Sequence, residues 1–168
     1  MSKSAHSSKV AKLVLGIRDE YLEQGAASAR EINEGQCEDF ACELVTLLHA
    51  NGFGTAEDIG VSEFLQFDPN DDNNYGYPFD RDILENRFPG FTPPGDLSLD
   101  DLDHLSFNRS FSPGTHVWVL HEGKHYDAEA PEGVESFMEL PFFQRCVRHW
   151  IEEGRPERPV RQTSTFSP

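Results

Sequence analysis

The chain has 168 residues, enough for about one domain, and its 37% apolar and 11% aromatic content is enough to build a hydrophobic core. Its formal net charge of −16 repels phosphate and anionic lipid, so we expect no nucleic-acid partner. No stretch approaches the roughly 18 apolar residues of a membrane helix, so we expect no membrane partner either.

The cysteine count and the N-terminal segment both favour a cytoplasmic protein. Three cysteines cannot all pair internally, and a chain of this length needs no disulfides to hold a core. The apolar run from Val10 to Ile17 is interrupted by Lys12 and followed at once by charged residues, which is not the pattern of a signal peptide.

Two helices are predicted in the first fifty residues. Apolar residues recur at helical spacing over 9–24, and Gly25 follows where a helix would end. A second helix is predicted over 37–50, with Cys37 at its first position and Asn51-Gly52 at its end. The apolar face of this second helix consists of Phe40, Ala41, Leu44, Leu47 and Leu48.

An acidic segment follows, which we interpret as a long loop insertion over about 57–112. Short helical turns are expected within it at 80–88 and 98–104. The run from Asp68 to Gly76 offers oxygen ligands, but their spacing does not fit an EF-hand calcium loop, so we favour a solvated loop. We expect part of the segment to border a cleft, either as a lid for a cationic substrate or as a solvated surface.

Two extended runs, 115–121 and 124–130, are joined by Glu122-Gly123, which predicts a β-hairpin. A two-residue turn places His116 and Asp127 on one face as diagonal neighbours, within reach of an imidazole–carboxylate hydrogen bond. Glu129 lies directly opposite His116 and is the alternative residue to orient the imidazole.

The same hairpin also suggests a zinc site, from ligand-type residues at His116, His121, His125 and Asp127. The predicted register opposes this interpretation, because His121 points to the other face of the sheet. His116 and His125 share a face but lie roughly 13 Å apart. We therefore expect no metal site here.

Pro141 begins a final helix that is predicted to reach about Glu153, and residues 154–168 are expected to form a flexible tail. Its inward face is predicted to consist of Phe142, Cys146, Val147, Trp150 and Ile151. We expect both Cys42 and Cys146 in the core.

Cys37 is the candidate nucleophile. At a helix N-terminus, backbone N–H groups and the macrodipole favour the thiolate over the thiol. A catalytic thiolate also needs a base that exchanges its proton and an acceptor that orients the base. His116 and Asp127 are the candidates for those two roles.

These residues resemble the transglutaminase-like branch of the papain-like cysteine peptidase superfamily. The resemblance rests on Gly35-Gln36-Cys37 with Phe40-Ala41, then His116-Val117-Trp118, then Tyr126-Asp127-Ala128, in that chain order. It implies a cysteine that heads a helix packed on a small antiparallel sheet, with the histidine and aspartate on neighbouring strands. It also implies that Cys37 is the nucleophile, His116 the general base and acid, and Asp127 the residue that orients the imidazole.

The expected architecture is therefore α+β, a single papain-like domain over 1–153 with N-terminal helices packed on a small antiparallel sheet. The expected function is a cysteine-dependent hydrolase or acyltransferase that acts on an amide or peptide bond of a peptide, protein or other substrate. The mechanism passes through a thioester and needs no cofactor. Water as acceptor gives a peptidase, amidase or deamidase, and an amine gives a transamidase.

Two further residues complete the predicted site. Gln36 and the backbone N–H of Cys37 are candidate donors to the oxyanion, and Trp118 is expected beside the imidazole, with a secondary role in substrate binding. The alternative function is a catalytically inactive papain-like scaffold that binds a basic partner protein through its acidic loops. Glu38 favours this alternative, because a carboxylate beside Cys37 disfavours the thiolate.

Overall fold

The structure, a computed structural model, describes residues 3–64, 80–99, 101 and 116–152. The Asp68–Gly76 run and the 154–168 tail lie outside the described residues, as does most of 98–104. The side chains of Trp150 and Ile151 lie outside them too. No helix in the described part of the chain is long and apolar enough to cross a bilayer.

Three helices form the N-terminal part of the fold. Helix α1 spans Lys3–Glu23, starting six residues before the predicted 9–24 boundary. Helix α3 spans Cys37–Ala50, which confirms the predicted 37–50 helix. The sequence reading missed the short helix α2, Ala29–Gly35, which lies between them.

A signal for α2 is present in the sequence. Ser28 is its N-cap, and its hydroxyl accepts a hydrogen bond from the Glu31 backbone N–H at 3.2 Å. The Glu31 carboxylate in turn accepts from the Ala27 backbone N–H at 2.6 Å. A serine followed three residues later by glutamate is the spacing of a capping box, so this pattern marks the helix start.

The sheet has three antiparallel strands in the order β1, β2, β3: Glu57–Gly60, Val117–His121 and Lys124–Tyr126. The predicted hairpin register is confirmed, since Val119 pairs with Tyr126. Strand β1 corrects the interpretation of 57–112 as a loop insertion, because Ile59 pairs with Trp118 inside the sheet. Its four residues begin with two acids, a composition that gives little strand signal.

Two hydrophobic cores lie on opposite faces of this sheet. Helices α1, α2 and α3 pack with Val119 and Tyr126 on one face. On the other face, Ile59 and Trp118 pack with Phe137 and the final helix. The described residues thus combine helices with a small antiparallel sheet, which confirms the predicted α+β fold class.

The remaining elements complete the second core. A 3-10 turn, Val61–Phe64, follows β1 directly, and helix α4, Arg81–Arg87, confirms the turn predicted at 80–88. A second 3-10 turn, Phe137–Glu139, leads into helix α5, Pro141–Glu152, close to its predicted bounds.

The core assignment of the cysteines was right for one and wrong for the other. Cys146 is buried, as predicted. Cys42 is exposed, because the inward face of α3 is formed by Phe40, Ala41, Leu44 and Leu48 and position 42 points away from it.

Candidate active site

Cys37 is the first residue of α3 and is half-buried. Its N-cap, Gln36, makes no side-chain capping hydrogen bond, and the first backbone bond of the helix runs from the Phe40 N–H to the Gln36 carbonyl at 3.0 Å. The earlier N–H groups of the helix have no carbonyl partner within it. The half-buried thiol therefore stands at the positive end of α3.

His116 precedes β2, and its ring is almost completely buried, with 1% of the residue exposed. The imidazole stacks on Phe142 of α5, with ring centroids 4.2 Å apart, and its edge meets Phe143. Its backbone carbonyl accepts from the Val61 N–H at 3.3 Å. The ring therefore has little freedom to rotate or to reach water.

Asp127 holds the imidazole on the side away from Cys37. Its Oδ2 lies 3.3 Å from His116 Nε2, which is the contact that the hairpin register predicts. Its Oδ1 accepts from the backbone N–H groups of Glu129 and Ala130 at 2.9 and 2.8 Å. These two bonds fix the carboxylate, so that its second oxygen faces the imidazole.

The Cys37 thiol interacts with the His116 imidazole, and this interaction lowers the pKa of the thiol and raises that of the imidazole. Asp127 contacts Nε2, and the other ring nitrogen, Nδ1, is buried with no hydrogen-bond partner. The interaction with sulfur therefore falls to Nδ1. The three groups lie in the order thiol, imidazole, carboxylate, which is the arrangement of a nucleophile, a base and an orienting residue.

The surroundings of these groups favour a thiolate–imidazolium pair. Burial raises the pKa of the Cys37 thiol, but His116 and the backbone N–H groups of Val117 and Glu38 outweigh burial and leave that pKa below its ordinary value. Burial lowers the pKa of His116, but Asp127 and the Cys37 sulfur outweigh it and raise that pKa. The sequence predicted that the Glu38 carboxylate disfavours the thiolate. In the structure, the backbone N–H of Glu38 stabilises the thiolate.

Cys146 shows how different the environment of Cys37 is. Burial raises the pKa of the Cys146 thiol to about 12. That thiol stays protonated at neutral pH and behaves as a small apolar side chain.

No protein-family model, curated protein or solved structure matches this chain.

The other predicted site residues are distributed differently. Gln36 is exposed and lies directly before Cys37, next to the helix N–H groups. Trp118 is completely buried, and its indole N–H donates to His125 Nδ1 at 2.8 Å. Trp118 packs beside the imidazole as expected, with ring centroids 6.1 Å apart, but it has no exposed surface for the predicted contact with substrate.

Glu129 does not orient His116. Strand β3 ends at Tyr126, so the chain turns away before Glu129 can lie opposite the histidine. Its carboxylate instead accepts two hydrogen bonds from Arg145, both at 2.8 Å, and one from Asn33 at 2.9 Å. Sequence reasoning missed Asn33 and Arg145, which lie far from Glu129 in the chain and carry no local motif.

The remaining histidines of the hairpin have separate roles. His121 lies on the other face of the sheet, as predicted, where its Nδ1 contacts Thr55 Oγ1 at 3.0 Å. Burial lowers the pKa of His125 to about 4, so it is a neutral acceptor for Trp118. Within the described ranges, no group of three or more histidine, cysteine or acidic side chains is arranged to hold a metal ion.

Proposed function

We propose that this protein is a cysteine-dependent hydrolase or acyltransferase that cleaves an amide or peptide bond through a thioester. The observation that carries the proposal is the buried imidazole of His116, held by Asp127 on one nitrogen and facing the Cys37 thiol at a helix start with the other. The papain-like core proposed from the sequence fits a helix headed by cysteine that packs on a small antiparallel sheet.

The first half-reaction forms the acyl-enzyme. The Cys37 thiolate attacks the carbonyl carbon, and the C–N bond breaks as the protonated His116 gives its proton to the leaving nitrogen. The oxyanion that develops is placed near the N–H groups at the start of α3, with the Gln36 side chain as a further donor. The product is a thioester on Cys37 and a free amine.

The second half-reaction releases the acyl group. His116, now neutral, removes a proton from water or from an acceptor amine, which attacks the thioester carbonyl. The C–S bond breaks, and the proton on His116 restores the original pair. Water yields a carboxylic acid and an amine yields a new amide, so one site accounts for hydrolysis and for transamidation.

The test is the rate of iodoacetamide alkylation at each cysteine as a function of pH. Cys42 is exposed on the same helix and serves as the reference within the same molecule. Cleavage after Glu38 places the two thiols on different fragments, so mass spectrometry separates their rates.

We expect Cys37 to react about tenfold faster than Cys42 at pH 7. A free thiol is only a few per cent ionised there, and the lower nucleophilicity of a low-pKa thiolate offsets part of the gain. The substitutions His116→Gln and His116→Ala should abolish the difference, and the glutamine variant keeps the site filled if alanine unfolds the core. Equal rates at Cys37 and Cys42 in the unmodified protein would contradict the proposal.

A further inference from the structure

Three segments that surround the proposed site meet in one polar cluster behind Asp127. Asn33 lies on α2, four residues before Cys37, and Glu129 lies in the turn after Asp127. Arg145 lies on α5, one helical turn after the Phe142 ring that covers His116. We call Asn33, Glu129 and Arg145 the clamp.

Asn33 is the centre of the clamp, and 1% of it is exposed. Its Oδ1 accepts from the backbone N–H of Ala128, the residue after Asp127, at 3.3 Å. Its Nδ2 donates to Glu129 Oε2 at 2.9 Å. The side-chain amide supplies both an acceptor and a donor from one planar group, and each of the two bonds uses one of them.

Arg145 joins the final helix to the same turn. Its Nη1 and Nη2 donate to the two carboxylate oxygens of Glu129, each at 2.8 Å. This two-point contact is mostly shielded from water, since the side chains of Arg145 and Glu129 are 18% and 16% exposed. Its Nε lies 3.7 Å from Glu34 of α2, so the arginine spans α2 and the turn.

We propose that Asn33 is a positioning residue, which through Ala128 and Glu129 fixes the turn that carries Asp127 and so sets His116 against Cys37. The inference rests on the proposed function, because it explains how that site is held in register. The contact of Asp127 with His116 is 3.3 Å, and a shift of about 1 Å in the turn would break it.

The substitution Asn33→Asp tests this role with the smallest change in shape. A carboxylate still accepts the Ala128 N–H, but it loses the donor to Glu129 and places a second negative charge beside that residue. We expect alkylation of Cys37 at pH 7 to slow about tenfold and its pH profile to move to higher pH, with Cys42 unchanged.

A compensating variant separates positioning from general stability. In Asn33→Asp with Glu129→Gln, the glutamine amide donates to the new carboxylate, which restores that hydrogen bond with its direction reversed and keeps the net charge. Arg145 keeps its Nη1 bond to the remaining amide oxygen and loses the Nη2 bond, so we expect this double variant to recover part of the Cys37 rate. The matched control is Arg30→Gln, which breaks an exposed pair with Glu34 on the same helix and should leave the Cys37 profile unchanged.

A second measurement keeps this inference apart from the proposed function. The ring nitrogens of His116 are followed by ¹⁵N NMR across a pH titration, which reports the imidazole whether or not Cys37 is reactive. We expect Asn33→Asp to lower the His116 midpoint and Arg30→Gln to leave it in place. If the Asn33→Asp protein folds and shows an unchanged His116 titration and an unchanged Cys37 pH profile, the positioning role is overturned. An unreactive Cys37 in the unmodified protein would contradict the proposed function alone.

Discussion

The two carboxylate oxygens of Asp127 contact different partners. Two backbone N–H groups hold Oδ1, and Oδ2 faces Nε2 of His116. In an Asp127→Asn variant, the amide oxygen must stay with the two N–H donors, so the amide nitrogen turns toward the imidazole. It then donates to Nε2 and forces the ring proton onto Nδ1, the nitrogen that faces Cys37.

We expect Asp127→Asn to reduce Cys37 alkylation at pH 7 to about the rate of Cys42, a loss of about tenfold. The imidazole of this variant can no longer accept the thiol proton, and the interaction that raises the His116 pKa is lost. The matched control is Asp58→Asn, an exposed carboxylate on β1 of the same sheet, which should leave the rate unchanged. A fast Cys37 in a folded Asp127→Asn protein would contradict the assigned role.

The pH dependence of the unmodified protein follows from the same two groups. The Cys37 pKa is lowered and the His116 pKa is raised, and both shifts favour the thiolate–imidazolium pair. Alkylation of Cys37 should persist below the pH range in which a free thiol reacts and fall only when the Cys37 thiolate is protonated. Acyl transfer should also fall at high pH, because deprotonated His116 cannot protonate the leaving nitrogen.

At the scale of elements, the hairpin turn decides which side chains share a face. Glu122 and Gly123 have φ values of 49° and 78°, the left-handed pair that a two-residue type I′ turn requires. Glycine adopts this conformation without cost, but glutamate does so with strain. The sequence therefore fixes the centre of the turn, although Glu122 adopts the left-handed conformation there less readily than asparagine or glycine would.

We expect Glu122→Asn to stabilise the protein by about 1 kcal/mol, because asparagine tolerates the left-handed region far better. The free energy of unfolding in urea measures the gain. Glu132→Asn is the control. Like Glu122, Glu132 is an exposed carboxylate that raises the pKa of Tyr126, but its backbone does not have a positive φ. An equal gain in the control would assign the effect to charge instead of backbone strain.

Two elements escaped the sequence reading for physical reasons. Helix α2 has seven residues, too short for apolar periodicity to show, and only the Ser28–Glu31 spacing marks its start. The segment Glu57–Gly60 has little strand preference of its own, because its first two residues are acidic. It forms strand β1 because it pairs with the edge of β2. Both elements are stabilised by packing and pairing with distant parts of the chain.

At the scale of the whole molecule, the site lies where the two cores meet. Cys37 heads a helix of the first core, and His116 is surrounded by rings of the second. Strand β2 contributes Trp118 to one core and Val119 to the other, so both faces of the sheet are packed against other elements. The geometry of the site therefore depends on both cores being intact.

We expect the two cores to unfold together. Leu44→Ala in the first and Ile59→Ala in the second should each cost about 2–4 kcal/mol, since both side chains are fully buried. Urea transitions followed by tryptophan fluorescence and by far-UV circular dichroism should coincide in every variant. Ile83→Ala is the control, because 43% of that residue is exposed and its loss should change stability by less than about 0.5 kcal/mol. Separate transitions would show that the cores are independent.

Local patterns along the chain specify several features of the fold and of the site. Helical spacing defined α3 and α5, and the turn at Glu122-Gly123 fixed the register that puts His116 and Asp127 together. Chain order and residue type were enough to single out Cys37, because a helix start is a local feature with a known effect on a thiol.

The way in which the site is held follows from the tertiary fold. It brought Cys37 to the imidazole across 79 residues, ended β3 before Glu129 and tied that residue to Asn33 and Arg145. It also turned Cys42 to solvent and buried Trp118. These contacts join segments distant in the chain, and such pairings are selected by the packing of whole elements, which no local pattern specifies.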